Sequence, residues 1–284
     1  MIEGEKLLEL QEISFAYEDG TKALQELSFS VTKGEKVAVM GANGSGKSTL
    51  FLMLVGILKP KTGKIMYHGR EMKYHKKELL EVRSKVGIVF QEPDNQLFSA
   101  SVYQEISFGP MNLGWEEEKV RDAVERVIEE LEITPFREKP THFLSGGQKK
   151  QVSIADIIVM NPELVIMDEP TAALDAKHSE QVEDMVNRLC EKGITVIIAT
   201  HDSDYALEWA DKVILFHEGR MEAAEPPMTL FKKKELLEKT SQRVPKIFQI
   251  YEMLVETKMI NDVQELPKSI EAFRQICENI KRGD

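Results

Sequence analysis

The sequence predicts an α/β protein whose core is a parallel sheet covered by helices on both faces. Two observations carry that class. From residue 164 onward, short apolar β-branched runs alternate with helical stretches, the pattern that parallel strands and crossover helices produce. Upstream, Gly41-Ala42-Asn43-Gly44-Ser45-Gly46-Lys47-Ser48-Thr49 fits the phosphate-binding pattern G-x-x-x-x-G-K-[ST]. It follows an apolar run at 36–40 that reads as a buried strand and precedes one at 50–55 that reads as the start of a buried helix.

The remaining elements come in order along the chain. Residues 7–17 and 23–31 are extended segments joined by the turn Glu18-Asp19-Gly20, a hairpin. Segments 64–67 and 86–91 read as strands, with the turn His68-Gly69 after the first. Helical spacing of Val120, Val124, Val127, Ile128 and Leu131 predicts a helix over 115–131. Another should span 146–160, capped by Ser145. Then come strand 164–167, helix 176–192 ended by Gly193, strand 194–199, helix 203–210 and strand 213–216, with a hairpin turn at 217–220. Pro226-Pro227 breaks the pattern. The residues beyond this pair show helical patches at 247–255 and 270–280 and no strand signal, and read as a small helical extension.

The 284 residues, 42% hydrophobic and 30% charged, describe an ordinary globular chain. No apolar run approaches the roughly 20 residues that span a bilayer, and the charged N-terminus lacks a signal-peptide core. Cys190 and Cys277, far apart, suggest neither a disulfide framework nor a metal site, so a cytosolic protein is expected. A net charge of −11 argues against nonspecific binding to nucleic acid or anionic lipid.

Glycines in the 41–49 loop let backbone N–H groups face phosphate oxygens, and the helix behind adds its positive end. Lys47 would reach the β- and γ-phosphates, and the Ser48 hydroxyl would bind Mg²⁺. Strand 164–167 ends in Asp168-Glu169, at the sheet edge where open α/β folds bind ligands. Asp168 there would hold Mg²⁺ through water, and Glu169 would polarise the attacking water. Leu144-Ser145-Gly146-Gly147-Gln148 is a capped helix start with bare backbone, a second anion-binding element.

A glycine loop, then LSGGQ, then an acidic strand end resembles the ATP-binding-cassette ATPases. The resemblance covers about the first 230 residues and implies a P-loop cassette: a mixed sheet core, an antiparallel β subdomain and a helical subdomain at about 92–162. The cassette would occupy 1–227 and the helical extension 228–284, as a dimerisation element. It also implies roles on this chain. Tyr17 matches the aromatic that stacks on adenine, and Gln91 the glutamine that touches Mg²⁺ and senses the transporter. Ala173-Leu174-Asp175 matches the loop that crosses between subunits, and His201 the switch histidine near the γ-phosphate. Two cassettes face head to tail in that family, so the LSGGQ of one copy would complete the ATP site of the other.

Residues 90–98, 108–114 and 205–211 look more specifically like the ATPase subunit of energy-coupling-factor importers of the cobalt/nickel type. That resemblance implies a peripheral protein at the cytoplasmic face of the membrane. Its partners would be a second ATPase subunit (identical or a sister), a membrane coupling subunit docking after Gln91, and a substrate-binding membrane subunit that selects cobalt, nickel or a vitamin. Three positions depart from the pattern: Asp156 and Gln151 on the signature helix, and Ala173 in the crossing loop. The competing readings are a soluble cassette-type ATP switch, which usually carries two cassettes or a long coiled coil, and a tail that senses a ligand.

Overall fold

The computed structural model describes residues 5–260 and 266–282; the start of the charged N-terminus and parts of the extension assigned to 228–284 lie outside the described residues. Strands β1 (Lys6–Ala16) and β2 (Lys22–Thr32) form the expected hairpin. With β4 (Thr62–Tyr67) and β5 (Arg70–Glu71) they make an antiparallel sheet of order β2-β1-β4-β5. The second sheet holds β3 (Lys36–Gly41), β6 (Val86–Val89), β7 (Leu164–Asp168), β8 (Thr195–Ala199), β9 (Lys212–His217) and β10 (Arg220–Glu225), in the order β10-β9-β3-β8-β7-β6. Every pairing in it is parallel except β9 with β10, which share a hairpin.

The central strands are buried on both faces, and their side chains alternate between two cores as the two-residue period of a strand requires. Ala38, Met40, Val165, Met167, Val196, Ile198, Val213 and Leu215 point into one core; Val37, Val39, Leu164, Ile166, Ile197, Ala199, Ile214 and Phe216 point into the other. Helices fill the first: α3 (Val102–Asn112), α4 (Glu117–Glu130), α5 (Gly146–Ile158), α6 (Ala176–Glu191) and α7 (Ser203–Trp209). The second face is shared. It meets α1 (Lys47–Leu54), Val82 of α2 (Lys76–Lys85) and the inner face of the antiparallel sheet. Helices therefore cover both faces, but the β1–β2 hairpin, with Leu8, Leu10, Ile13 and Leu24 inward, replaces much of the helical cover on one of them.

Helix α2 has no apolar periodicity to announce it. It buries Val82, and Arg83 donates to the carbonyls of Val55 and Gly56 at 3.2 and 3.0 Å, just past the end of α1. Periodicity alone would begin a surface helix at 97, whereas α3 begins at Val102, capped by Ser101. The reason is Glu105: its buried Oε2 accepts the N–H groups of Phe98 and Ser99 at 2.9 and 2.6 Å, which holds that stretch in a turn.

Beyond Pro226 come α8 (Pro227–Leu230), α9 (Lys234–Lys239), α10 (Lys246–Glu256) and α11 (Ile270–Arg282). Leu230, Phe231, Leu237, Ile247 and Phe248 are buried in the same core as α3–α7. Phe231→Ala should therefore cost about 3–5 kcal/mol, the range for a buried aromatic. Denaturant titration checks this, and a loss under about 1 kcal/mol would show that the segment contributes little to the core.

Candidate functional site: a phosphate loop facing two carboxylates

The parallel register brings the carboxyl ends of β3, β7 and β8 to one edge of the sheet. There a cleft of about 330 Å³ is bordered by Tyr17, Asn43, Gly44, Gly46, Lys47, Ser48, Thr49, Gln91, Asp168, Glu169 and His201. The loop is shaped by its glycines. Gly46 sits at φ +107°, and a Cβ there would lie 2.5 Å from the Ala23 carbonyl; a Cβ on Gly41 would meet Phe216 O at the same distance. Gly46 is the N-cap of α1 and brings no side-chain cap, so the first amides of the helix keep their donors for a ligand. Ser45 Oγ, just behind, is buried without a hydrogen-bond partner among the described residues.

Lys47 is buried, and its Nζ donates to the carbonyls of Gly41 and Ala42 at 2.7 and 3.1 Å. Burial pulls its pKa below the usual lysine value, against the opposing pull of Glu169 and Asp168. Ser48 Oγ donates to Asp168 Oδ2 at 2.8 Å, so two of the three groups expected to meet Mg²⁺ already touch. Tyr17 O–H shares a 2.8 Å hydrogen bond with Thr49 Oγ1, while its ring is 41% exposed and packs edge-on against Phe15.

Glu169 turns the chain sharply at φ +46°, a left-handed conformation that a non-glycine residue adopts at a cost, here anchored by its N–H on Ala199 O. Burial raises its pKa to about 7; Lys47 opposes that shift and Asp168 adds to it. His201 Nε2 lies 3.0 Å from Glu169 Oε1 and 3.1 Å from Asn43 Oδ1. Burial and Lys47 lower the His201 pKa, so the ring stays neutral near pH 7. The approach to Glu169 is not aligned as a hydrogen bond, and Oε1 is left without a partner among the described residues.

The signature elements stand elsewhere. Ser145 and Gln148 form a capping box at the start of α5, each side chain bonded to the other's backbone N–H. Gly146 faces open space. Asp175 caps α6. None of Ser145, Gly146, Gly147, Gln148 or Asp175 borders the cleft that holds the glycine loop.

A sequence profile of the ABC transporter family matches residues 24–172, slightly more than half of the chain. The chain belongs to that family. An energy-coupling factor transporter ATP-binding protein from Methanococcus maripaludis is 43% identical to the cassette over 248 residues, covering 87% of this chain and 89% of that one. An ABC transporter ATP-binding protein from Methanosarcina mazei is 42% identical over 264 residues, which span 93% of this chain but 58% of that longer protein. The solved structure of cbiO1 from Clostridium perfringens, part of the ABC transporter complex cbiONQ, superposes with a TM-score of 0.74 at 41% identity. It covers 87% of this chain and 99% of its own. The cassette is thus an ATPase subunit of the energy-coupling-factor kind.

Sequence reasoning missed Lys150. It is fully buried in the cassette, and its Nζ donates to the carbonyls of Phe90 and Gln91 at 2.8 and 2.9 Å, which holds the strand end that carries Gln91. Burial lowers its pKa to about 8, partly opposed by Asp168. The signal was available: Lys150 stands one helical turn from Ile154 and two from Ile158, a charge where the pattern asks for an apolar side chain. Thr21, Lys22 and Ala23 also border the cleft and were likewise missed, because nothing in their sequence context marks them.

The departures find physical places. The partly buried Asp156 carboxyl is pushed up to about 7 by desolvation and takes a 3.3 Å hydrogen bond from Gln96, behind the Gln91 segment and outside the cleft. Gln151 donates to Leu131 O at 2.9 Å. Ala173 sits at φ +60°, in the region that glycine occupies without strain.

Two outcomes are expected. Ala173→Gly should stabilise the cassette by up to about 1 kcal/mol in denaturant titration, relief of backbone strain exceeding the added flexibility of the unfolded chain. Because Glu169 must be ionised to take a proton, and kcat/KM reports the free enzyme, kcat/KM for ATP should rise with pH through a midpoint near 7. An acidic limb near the ordinary glutamate value of 4.5 would contradict the assignment.

Proposed function

We propose that this chain powers an energy-coupling-factor importer as one half of a pair of cassettes, at the cytoplasmic face of the membrane beneath its membrane partners. The observation that carries the hydrolytic role is Glu169: a carboxylate at the cleft wall, with Oε1 buried, 3.0 Å from His201 Nε2, and placed beside Asp168. There it would accept the proton of an attacking water. Lys47 would exchange its carbonyl partners for the β- and γ-phosphates, with the free amides of the loop and of α1 around them. The exposed face of Tyr17 would stack on adenine. His201, with its ring nitrogen between Asn43 and Glu169, would hold the γ-phosphate end.

Ser48, Asp168 and Gln91 suit Mg²⁺, a hard cation that takes few protein oxygens and fills its shell with water and phosphate. Bound there, the ion would neutralise charge on the phosphates.

Pairing rests on the signature helix. Its open Gly146 and capped N-terminus do not border this chain's own cleft, so a second copy, head to tail, would complete each site. Docking to a membrane subunit rests on Phe98, Phe108 and Met111, which are 65%, 45% and 65% exposed and come soon after Gln91. The Phe98 and Phe108 rings meet edge to face at 4.7 Å. Next to them Tyr103, Met111 and Trp115 line a groove of about 750 Å³. Glu117, Glu118 and Arg121 form a charged part of the same lining, so exposed apolar side chains beside charges are what a partner would meet there. No helix among the described residues is long and apolar enough to cross a membrane. The cargo, cobalt, nickel or a vitamin, would be selected by a separate membrane subunit.

Glu169→Gln should lower ATP hydrolysis by about 10²–10⁴ while ATP still binds. Lys47→Ala should weaken ATP binding at least tenfold, the loss of charge-assisted hydrogen bonds worth about 1.5–3 kcal/mol each. Uptake of labelled cobalt or nickel by cells expressing the chain with its native membrane partners should stop in both variants. A Glu169→Gln protein as active as its parent would refute the base. A chain that never fractionates with membranes beside those partners would refute the importer.

A further inference from the structure

One imidazole touches both elements that stand outside the cleft. His178, in the first turn of α6, places Nδ1 2.8 Å from each carboxylate oxygen of Asp175, which also accepts the His178 backbone N–H at 2.9 Å. The far edge of the ring lies on Gly147 of α5. A Cβ on that glycine would come within 2.1 Å of His178 Cδ2 and 2.8 Å of Nε2. Gly147 has no positive φ, so it is the imidazole, and not backbone conformation, that excludes a side chain there. The adjacent Gly146 meets nothing within 4 Å. The two signature glycines therefore differ in purpose: Gly146 bares backbone to solvent, and Gly147 makes room for His178.

We propose that His178 is a positioning residue that joins the start of α5 to the crossing loop, so that Ser145, Gly146 and Asp175 meet the second copy's nucleotide as one rigid face. This rests on the reading of two half-sites completed by pairing. Two segments that ordered separately on closure would each lose conformational entropy at that moment; joined beforehand through one ring, they lose less. The joint combines a hydrogen bond to an ionised carboxylate with close packing on a glycine, so it holds both distance and orientation.

The test uses the full chain with Glu169→Gln, so that ATP persists. ATP binding is measured on dilute protein, and ATP-driven self-association by sedimentation velocity. His178→Ala should leave ATP binding by the dilute chain within about twofold, since the ring is outside the cleft, yet raise the ATP concentration for half-association by roughly tenfold, the loss of one hydrogen bond to a charged group. His178→Asn, whose amide reaches Asp175 but does not cover Gly147, should recover part of that loss. Gly147→Ala should impair association, and adding His178→Ala to it should make association no worse than His178→Ala alone, because the steric conflict is gone. Association of His178→Ala at the parent's ATP concentration overturns the proposal, as do additive effects of the two substitutions or a tenfold change in ATP binding by the dilute chain. A parent that never self-associates with ATP overturns the paired reading itself, and the role of His178 with it.

Discussion

Ser48 and Asp168 are 120 positions apart, yet Oγ and Oδ2 meet at 2.8 Å. That meeting depends on the register of parallel strands, and the candidate site is built around it. β3 pairs with β8, and β8 with β7, so that Val39, Ala199 and Asp168 stand level across the sheet. The chain then leaves each strand at the same edge: into the glycine loop after β3, into Glu169 after β7 and toward His201 after β8. A slip of one residue in any strand would turn its side chains to the opposite core and withdraw its functional residue from the cleft.

That register is held by apolar alternation, while the periphery of the site is held by buried polar groups. Lys150 fixes Gln91 through two carbonyls, and Glu105 fixes Phe98 and Ser99 through two amides. Glu105 Oε1 has no partner, and Lys150 has no carboxylate within ion-pair distance among the described residues. Groups of this kind cost stability compared with apolar packing, because burial is not fully compensated. What they provide is directional: the segment between Gln91, which borders the ATP cleft, and Phe98, on the exposed apolar surface, is clamped at both ends against α3 and α5. A displacement at the surface would have a stiff route to the cleft.

Much of this was legible in the sequence, for identifiable reasons. The glycine loop, the acidic strand end and the LSGGQ helix are local patterns whose chemistry comes from adjacent residues, and the strands after 164 announce themselves by unbroken apolar, β-branched composition. Helix α2 was hidden because its stability comes from Arg83 capping another helix and from a single buried valine, not from an apolar stripe. The start of α3 was hidden because a buried carboxylate diverts the preceding amides.

By itself, then, the sequence determined the fold class and the fuel, and it named candidate residues for phosphate, because backbone geometry and local side-chain chemistry mark those within a few positions. Only the tertiary structure decided how the pieces are shared. It placed Lys47, Ser48, Asp168, Glu169 and His201 around one cleft and left Ser145–Gln148 and Asp175 outside it. It showed how the antiparallel sheet, expected as a subdomain, packs its inner face onto one face of the parallel sheet. It also set the His178 ring on Gly147, a contact no spacing rule contains, because it depends on how two helices pack and not on the sequence of either.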